Sequence, residues 1–167
     1  MSVYFWDCWD PDKGGCDKRK WIKKYYDKCD RTMKRRSPTR EKTELLIGEI
    51  TEQLSNQYKV LDTNIHHKYS TEMGKLSKEE REDTGICDYL IENIVPKLIF
   101  VHGKHAIKHL EGLTSNNEKI PKDRLISIEL NGRETYVYAG YHLSRCWSYE
   151  AIKNLGQQLR KWCEANL

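Results

Sequence analysis

A short apolar run that ends at a glycine constrains the fold of this chain more than any other feature. Residues 98–101 read Leu-Ile-Phe-Val, and four consecutive apolar side chains favour a strand buried on both faces. Gly103 breaks the run, and residues 105–111 are predicted to form a helix. A strand, a glycine turn and a helix in this order are typical of the βα step of a parallel sheet. The sequence therefore predicts an α/β fold.

The remaining pattern adds a hairpin and several helices to this step. Asn131-Gly132, between predicted strands at 125–130 and 134–139, is the strongest short-range signal for a β-hairpin. Helices are predicted near 19–29, 40–57 and 148–165, a strand at 58–62, and a further helix after the capping box of Ser77 and Glu80. The 167 residues contain no repeat or low-complexity tract, so we expect one domain, 1–167, with a layered α/β fold.

Positive charge is concentrated in residues 18–42, which we call the basic aromatic segment. It holds twelve lysines and arginines against three carboxylates, a net charge of +9, so the rest of the chain is −5 when the whole is +4. Trp21, Tyr25 and Tyr26 offer flat faces for stacking on bases, while the cations neutralise phosphates. The segment predicts binding to DNA, either single-stranded or as a damaged duplex. The cations assigned to phosphates are Lys23, Lys24, Arg35 and Arg36.

Two other interpretations of the basic aromatic segment stay open. A charge run is often a solvated helix face, and its aromatic residues would then anchor the helix to the core. The segment could also serve as an arm for an acidic protein partner, whose identity the sequence does not indicate.

Neither a membrane span nor a secretory signal is expected. No apolar run approaches the roughly 18 residues that a span needs, and residues 1–10 lack a basic stretch followed by an apolar one. The six cysteines are therefore expected to be reduced thiols rather than a disulfide framework. These features predict a soluble, cytoplasmic protein.

Candidate binding residues follow the predicted strands, because ligands of open α/β sheets collect beyond the carboxyl ends of the strands. Asn64 follows the first predicted strand, and its amide suits a nucleobase edge, although a turn-forming role is the alternative. Gly103 follows the apolar strand. His142, Ser144 and Arg145 follow the last strand and suit an anionic centre with neighbouring phosphates.

Three segments in this order resemble the uracil-DNA glycosylase superfamily. They are Val60-Leu61-Asp62-Thr63-Asn64-Ile65, then Pro-Lys-Leu-Ile-Phe-Val-His-Gly-Lys-His-Ala at 96–106, then His142-Leu143-Ser144-Arg145 ahead of a terminal amphipathic helix. The resemblance covers residues 37–167 and implies a three-layer α/β/α sandwich with a central, mostly parallel sheet. It also implies a pocket at Asn64, Gly103 and His142, in which Asn64 reads a flipped base, His142 stabilises the leaving base and Ser144 contacts a phosphate.

Two departures from the family bear on catalysis. The family's first motif, a Gly-x-x-Pro-like turn that holds the hydrolytic water, has no clear counterpart, and this chain has Leu143 where the late motif has proline. We expect the chain to begin downstream of the strand that carries the first motif; alternatively, residues 3–6 form that strand and Asp10-Pro11 is a remnant. The resemblance thus implies either a glycosylase that removes a damaged base, with Asp10 or Asp62 orienting water, or a binding protein of the same fold.

No metal or other cofactor is predicted. His102, His105 and His109 have a spacing that zinc could use, but no fourth ligand lies nearby, and exposed helix-face histidines are the simpler interpretation. The cysteines at 8, 16 and 29 include no Cys-x2-Cys pair of the kind that holds an iron–sulfur cluster. Cys146, four residues after His142, is the remaining alternative, as a nucleophile.

Overall fold

Helices and strands are mixed along the part of the chain that the structure describes. The structure, a computed structural model, describes residues 8–10, 15–52, 59–65 and 76–167. Its helices are α1 Lys18–Arg31, α2 Pro38–Thr51, α3 Lys78–Glu82, α4 Gly85–Ile94, α5 Lys104–Leu113 and α6 Tyr149–Asn166. Its strands are β1 Trp9–Asp10, β2 Gly15–Cys16, β3 Leu98–His102, β4 Leu125–Leu130 and β5 Arg133–Gly140. The expected α/β class is confirmed.

The main sheet has three strands in the spatial order β3, β5, β4. β3 runs parallel to β5, with His102 opposite Gly140, and β4 runs antiparallel to β5. Asn131 and Gly132 connect β4 to β5 with φ angles of 50° and 72°, the positive values that a tight hairpin turn requires. The predicted hairpin is confirmed. Within the described residues the sheet is mixed, where the family resemblance implied a mostly parallel one.

Both faces of this sheet carry apolar side chains that pack against helices. The cluster shared with α5 consists of Val101, Ile107, Leu110, Ile120, Ile128, Leu130, Val137 and Ala139. The cluster shared with α2 and α6 consists of Leu46, Leu143, Ile152, Leu155 and Leu159, with Leu98, Phe100 and Tyr138 packed against it. Because Phe100 and Val101 are consecutive and join different clusters, β3 is covered on both faces, as its unbroken apolar run predicted.

α2 and α6 pack side by side and run in the same direction. Three side-chain hydrogen bonds join them at a constant offset of 108 residues, from Tyr149 to Glu41, from Gln157 to Glu49 and from Arg160 to Glu52. A constant offset over three helical turns requires parallel axes. Gly156 permits the close approach, since a Cβ at this position would lie only 2.5 Å from Cβ of Glu49.

Two elements differ from their sequence predictions in type or extent, and the one helix expected after Ser77 and Glu80 is divided into α3 and α4. Residues 59–64 have no regular secondary structure, although a strand was expected at 58–62, and Tyr58 lies outside the described residues. Val60 and Leu61 are 50% and 53% exposed, because two apolar residues beside Asp62 bury too little surface to hold a strand. α2 begins at Pro38, where Ser37 caps it by accepting the backbone N–H of Arg40, and ends at Thr51 rather than near 57; residues 53–58 are outside the described residues.

The cysteine side chains that the structure describes are all free thiols. Cys8, Cys29, Cys87 and Cys163 are buried, and Cys146 is exposed. Burial raises the pKa of Cys87 and Cys163, so these two thiols are poor nucleophiles at neutral pH. In the same part of the chain, none of the helices has the length and apolar character that crossing a bilayer demands.

Candidate functional site

The carboxyl ends of β3 and β5 bring two histidines together. His102 is the last residue of β3 and lies opposite Gly140, the last residue of β5, so the chain leaves both strands at the same edge of the sheet. The rings of His102 and His142 lie 5.2 Å apart, edge to face. Gly103 joins the two loops, because its N–H donates to the carbonyl oxygen of Gly140 at 3.2 Å.

Gly103 makes room for His142 at the start of α5. Its φ is 86°, a conformation that residues with a side chain rarely adopt. A Cβ at this position would lie 3.3 Å from Cδ2 of His142. The glycine therefore serves both the sharp β3–α5 turn and the position of the neighbouring imidazole.

The turn after β5 fixes where the His142 ring carries its proton. The backbone N–H of Ser144 donates to Nδ1 of His142 at 3.3 Å, and Oγ of Ser144 lies 2.8 Å from the same nitrogen. Nδ1 is thus an acceptor, so the neutral ring carries its hydrogen on Nε2. Burial, and then the nearby Arg145 guanidinium, lower the pKa of His142 and favour this neutral form. The turn presents an uncharged N–H donor on the side of the ring away from Ser144.

His102 is also held neutral. The pKa of His102 is lowered to about 4, by burial first and then by the neighbouring His142, while Asp62 partly opposes both. Its Nδ1 is buried and makes no hydrogen bond to the described part of the chain. The two rings therefore form an uncharged polar floor at the strand ends.

Arg40 and Asp62 tie residues 59–65 to this edge. Nη1 of Arg40 lies 3.5 Å from Oδ2 of Asp62, and its guanidinium stacks 4.5 Å above the ring of Trp21. The Asp62 carboxylate also raises the pKa of His102, so it acts electrostatically on one of the two rings. The carboxylate is engaged by a cation, which disfavours a role for Asp62 in activating water. Asn64 is exposed two residues further on.

The sequence-predicted site residues are only partly brought together. His142, Gly103 and Ser144 meet, and the backbone N–H of Arg145 donates to the carbonyl of His142 at 3.0 Å while its side chain is exposed. Asn64 lies in the loop that Asp62 anchors, and within the described residues no hydrogen bond joins it to His142. Asp10 lies in β1, and the alternative strand 3–6 and Pro11 are outside the described residues.

Lys42 is a structural contributor to the site that sequence reasoning missed. It was counted only in the net charge of the basic aromatic segment, yet its side chain is buried and its Nζ donates to the carbonyl oxygen of Leu143 at 2.8 Å. This bond anchors the His142 turn to α2. The signal was present in the sequence, since Lys42 lies one helical turn before Leu46 and so on the face of α2 that packs inward.

The basic aromatic segment uses several of its groups internally. Two hydrogen bonds of 2.9 and 2.8 Å join Nη2 of Arg36 to the carboxylate of Asp30, and its guanidinium lies 4.4 Å from the centre of the Tyr26 ring. Trp21 and Tyr25 stack on each other with their planes 2° apart. The side chains of the other assigned cations, Lys23, Lys24 and Arg35, are exposed.

The described side-chain positions support neither the zinc alternative nor the alternative of Cys146 as a nucleophile. Nε2 of His109 lies 2.6 Å from Oδ1 of Asp88 on α4, whereas His102 lies beside His142, so these histidines do not converge. Residues 8–10, 15–52, 59–65 and 76–167 contain no group of three or more His, Cys, Asp or Glu side chains that could hold a metal ion. Nδ1 of His142 is engaged by Ser144, so it cannot accept a proton from Cys146.

Comparisons of the chain with protein-family models, with curated proteins and with solved structures found no match. The site itself combines a neutral Nε2–H donor, a second neutral imidazole, a glycine turn and an adjoining basic surface.

Proposed function

We propose that this chain binds a damaged or deaminated base, flipped out of DNA, at the strand ends that carry His102, Gly103 and His142. The observation that supports this most is the fixed Nε2–H of His142. A base such as uracil presents carbonyl oxygens, which need a donor, and proteins that flip a base read it by hydrogen bonds to its edge. An imidazole whose Nδ1 is already taken offers that donor in one defined position.

The surrounding charge supports DNA as the source of the base. Lys23, Lys24 and Arg35 are exposed on the basic aromatic segment and can neutralise backbone phosphates. Arg40, in the same segment, contacts Asp62 in the loop that carries Asn64. In this proposal the phosphate-binding surface and the base site are neighbours, Asn64 reads the base edge, Ser144 and Arg145 lie near a phosphate, and the protein acts in the cytoplasm.

The proposal includes a three-layer fold like that of the uracil-DNA glycosylases. Helices cover both faces of β3. At the β3–Gly103–α5 step, the carboxyl end of this strand lies at one edge of the sheet. Such an edge is where open α/β sheets bind their ligands.

Hydrolysis of the N-glycosidic bond is the second candidate. The departing base carries negative charge, and a preorganised donor such as Nε2–H of His142 would stabilise it. The ion pair between Asp62 and Arg40 gives no support for a water-activating carboxylate, so binding comes first in the proposal.

A binding titration combined with a strand-nicking assay tests both candidates. The probes are matched oligonucleotides, single-stranded and duplex, that contain uracil, a thymine mismatch, hypoxanthine or no lesion. We expect preferential binding to one lesion, and Asn64→Asp should change that preference by roughly 1–3 kcal/mol, because a carboxylate accepts where the amide donated. Asn154→Asp, at an exposed position on α6, is the matched control and should have no effect.

His142→Ala separates the two candidates. In a binding protein it should weaken affinity for the lesion, whereas in a glycosylase it should leave binding nearly intact and slow nicking by roughly 10²–10³-fold. Equal affinity for damaged and undamaged probes would contradict the proposal.

A further inference from the structure

α4 carries several exposed apolar side chains on one side. Ile86, Tyr89 and Ile94 are 52%, 64% and 51% exposed. Leu90, which is half-buried, lies between Ile86 and Ile94 at intervals of four residues, so the four side chains form a stripe along the helix. We call this stripe the α4 face. Single exposed apolar residues are ordinary on a protein surface, whereas several together on one short helix indicate a surface that a partner covers.

Negative charge accompanies the α4 face. Residues 77–94 hold six carboxylates against the two cations Lys78 and Arg81, a net charge of −4, which is most of the −5 outside the basic aromatic segment. Glu82 and Glu92 are exposed, the first shortly before α4 and the second three residues after Tyr89. A partner of the α4 face should therefore present cations around an apolar recess.

A groove on α1 has these properties. Its volume is about 430 Å³, and Ile22 and Tyr26 supply its apolar surface. Its charged lining consists of Arg19, Lys23, Arg36, Asp27 and Asp30. Arg36 is held by Asp30, whereas Arg19 and Lys23 are exposed. This α1 groove lies within the basic aromatic segment, whose net charge of +9 surrounds it with positive potential.

We propose that the α4 face of one copy of this chain docks in the α1 groove of a second copy. The Tyr89 ring enters the groove, and the carboxylates beside it face the exposed cations of the second copy. Both halves of the contact thus come from one sequence, whose acidic and basic regions attract each other. The groove is small beside the roughly 800 Å² per partner that stable complexes bury, so the association should be weak and sensitive to salt.

The two surfaces in this contact are different, which makes the contact head-to-tail. Each copy that has docked its α4 face still offers an empty α1 groove. A head-to-tail contact therefore adds further copies until a ring closes, whereas a contact of one surface with itself stops at the dimer.

Sedimentation velocity of the intact chain, without DNA, tests the inference. The average mass should rise with protein concentration at about 50 mM salt and return to that of the monomer at about 500 mM, because salt screens exposed charges. Ile86→Ala combined with Tyr89→Ala should weaken association at least about thirtyfold, the order found for central apolar residues of interfaces. Val60→Ala combined with Leu61→Ala is the matched control, since it removes a similarly exposed apolar pair elsewhere and should have no effect.

Neutralising the α1 groove tests the second surface. Arg19→Gln combined with Lys23→Gln should weaken association at least about tenfold. Lys108→Gln combined with Lys161→Gln removes the same charge from exposed positions on α5 and α6, and it should leave association unchanged. All these substitutions are at exposed positions, so the melting temperatures of the variants should stay close to that of the parent.

An equimolar mixture of the α4-face variant and the α1-groove variant gives the sharpest result. Each variant lacks one surface, but the groove of the first and the α4 face of the second are intact. The mixture should form a 1:1 dimer and nothing larger, although neither variant associates alone. A mixture that stays monomeric would contradict the head-to-tail contact.

A parent chain that is monomeric at every concentration and salt would show that the α4 face serves a different partner, and the inference would be wrong. The proposed DNA binding would be unaffected, because this measurement contains no DNA. Where the parent does associate, duplex DNA bound to the basic aromatic segment should separate the copies. An assembly that persists with DNA on that segment would contradict the α1 groove as the place of contact.

Discussion

At the scale of single residues, the candidate site depends on which atoms of two histidines are already engaged. Ser144 occupies Nδ1 of His142 and leaves Nε2–H as its donor. Burial keeps His102 neutral beside it. The site therefore differs from a positively charged anion-binding site, because its two rings can form hydrogen bonds but carry no positive charge at neutral pH.

Gly103→Ala should destabilise the chain by about 1–2 kcal/mol and weaken ligand binding. The substitution combines a strained positive φ with a new contact to the His142 ring. Urea unfolding measures the stability change. Gly48→Ala is the control, because Gly48 is exposed within α2, no atom would contact its Cβ, and alanine should stabilise the helix by about 0.5–1 kcal/mol. Changes of the same sign in both variants would contradict the role assigned to Gly103.

Stability should fall as the pH is lowered from about 6.5 to about 4. In this window the unfolded chain protonates His102, whereas the folded chain, with the pKa of His102 lowered to about 4 by burial, does not. The loss from this residue amounts to as much as about 3 kcal/mol, and it should be absent above pH 6.5. Urea unfolding across this range checks the result. In His102→Phe this portion of the pH dependence should disappear; an unchanged profile would show that His102 is not the titrating group.

At the scale of elements, α2 supports the site through one buried side chain. Lys42→Met should destabilise the chain by about 1–2 kcal/mol, because the carbonyl of Leu143 would lose its donor inside the fold. We expect ligand binding to weaken as well, since that bond anchors the His142 turn. Lys153→Met is the matched control on α6: its side chain is 56% exposed and its Nζ lies 3.9 Å from Oε1 of Glu49, so its removal should change stability by less than about 0.5 kcal/mol. Equal losses in the two variants would contradict the anchoring role.

The elements that local rules determine were the ones predicted correctly. The Asn131-Gly132 hairpin follows from a turn that needs two positive φ angles, and the β3–Gly103–α5 step follows from an apolar run, a glycine and a helix. The prediction of a strand at 58–62 was wrong for the described residues 59–62. A strand needs a pairing partner, and local propensity contains no information about one. The length of α2 towards its carboxyl end was overestimated for a similar reason. Apolar periodicity in the sequence does not show where the packing of α2 against α6 stops.

The sequence predicted several residues of the candidate site but not the contacts that hold them in place. Residues after strand ends could be selected by a general rule, so the sequence predicted His142, Gly103 and Ser144, which the structure brings together. The bond from Lys42 to Leu143 spans 101 residues, and the ion pair between Arg40 and Asp62 spans 22. Contacts of this kind depend on how helices pack, which charge patterns along a sequence do not reveal.

At the scale of the whole molecule, fewer cations face outward from the basic aromatic segment than its sequence suggests. Arg36 is paired with Asp30, Arg40 with Asp62, and Lys42 is buried. The net charge of +9 therefore overstates the number of phosphates that this surface can neutralise.

The salt dependence of DNA binding should report this difference. Replacing Lys23 and Arg35 together by Gln should reduce the slope of log affinity against log salt by about 1.8 on duplex DNA, roughly 0.9 for each lost phosphate contact. Arg36→Gln should leave the slope almost unchanged, because that guanidinium is already bound by Asp30. Filter binding or fluorescence anisotropy at several salt concentrations measures both. A slope that responds to Arg36 as strongly as to Lys23 would show that the ion pair opens on DNA.

The constant 108-residue offset between α2 and α6 also has a consequence for biosynthesis. Each contact between these helices waits until more than a hundred further residues have been translated, which takes about 5–20 s at typical ribosomal rates of roughly 5–20 residues per second. During that interval Leu46 has no α6 to cover it. The nascent chain thus exposes an apolar helix face long after the helix itself has formed, and chaperones have their best opportunity to bind before α6 emerges.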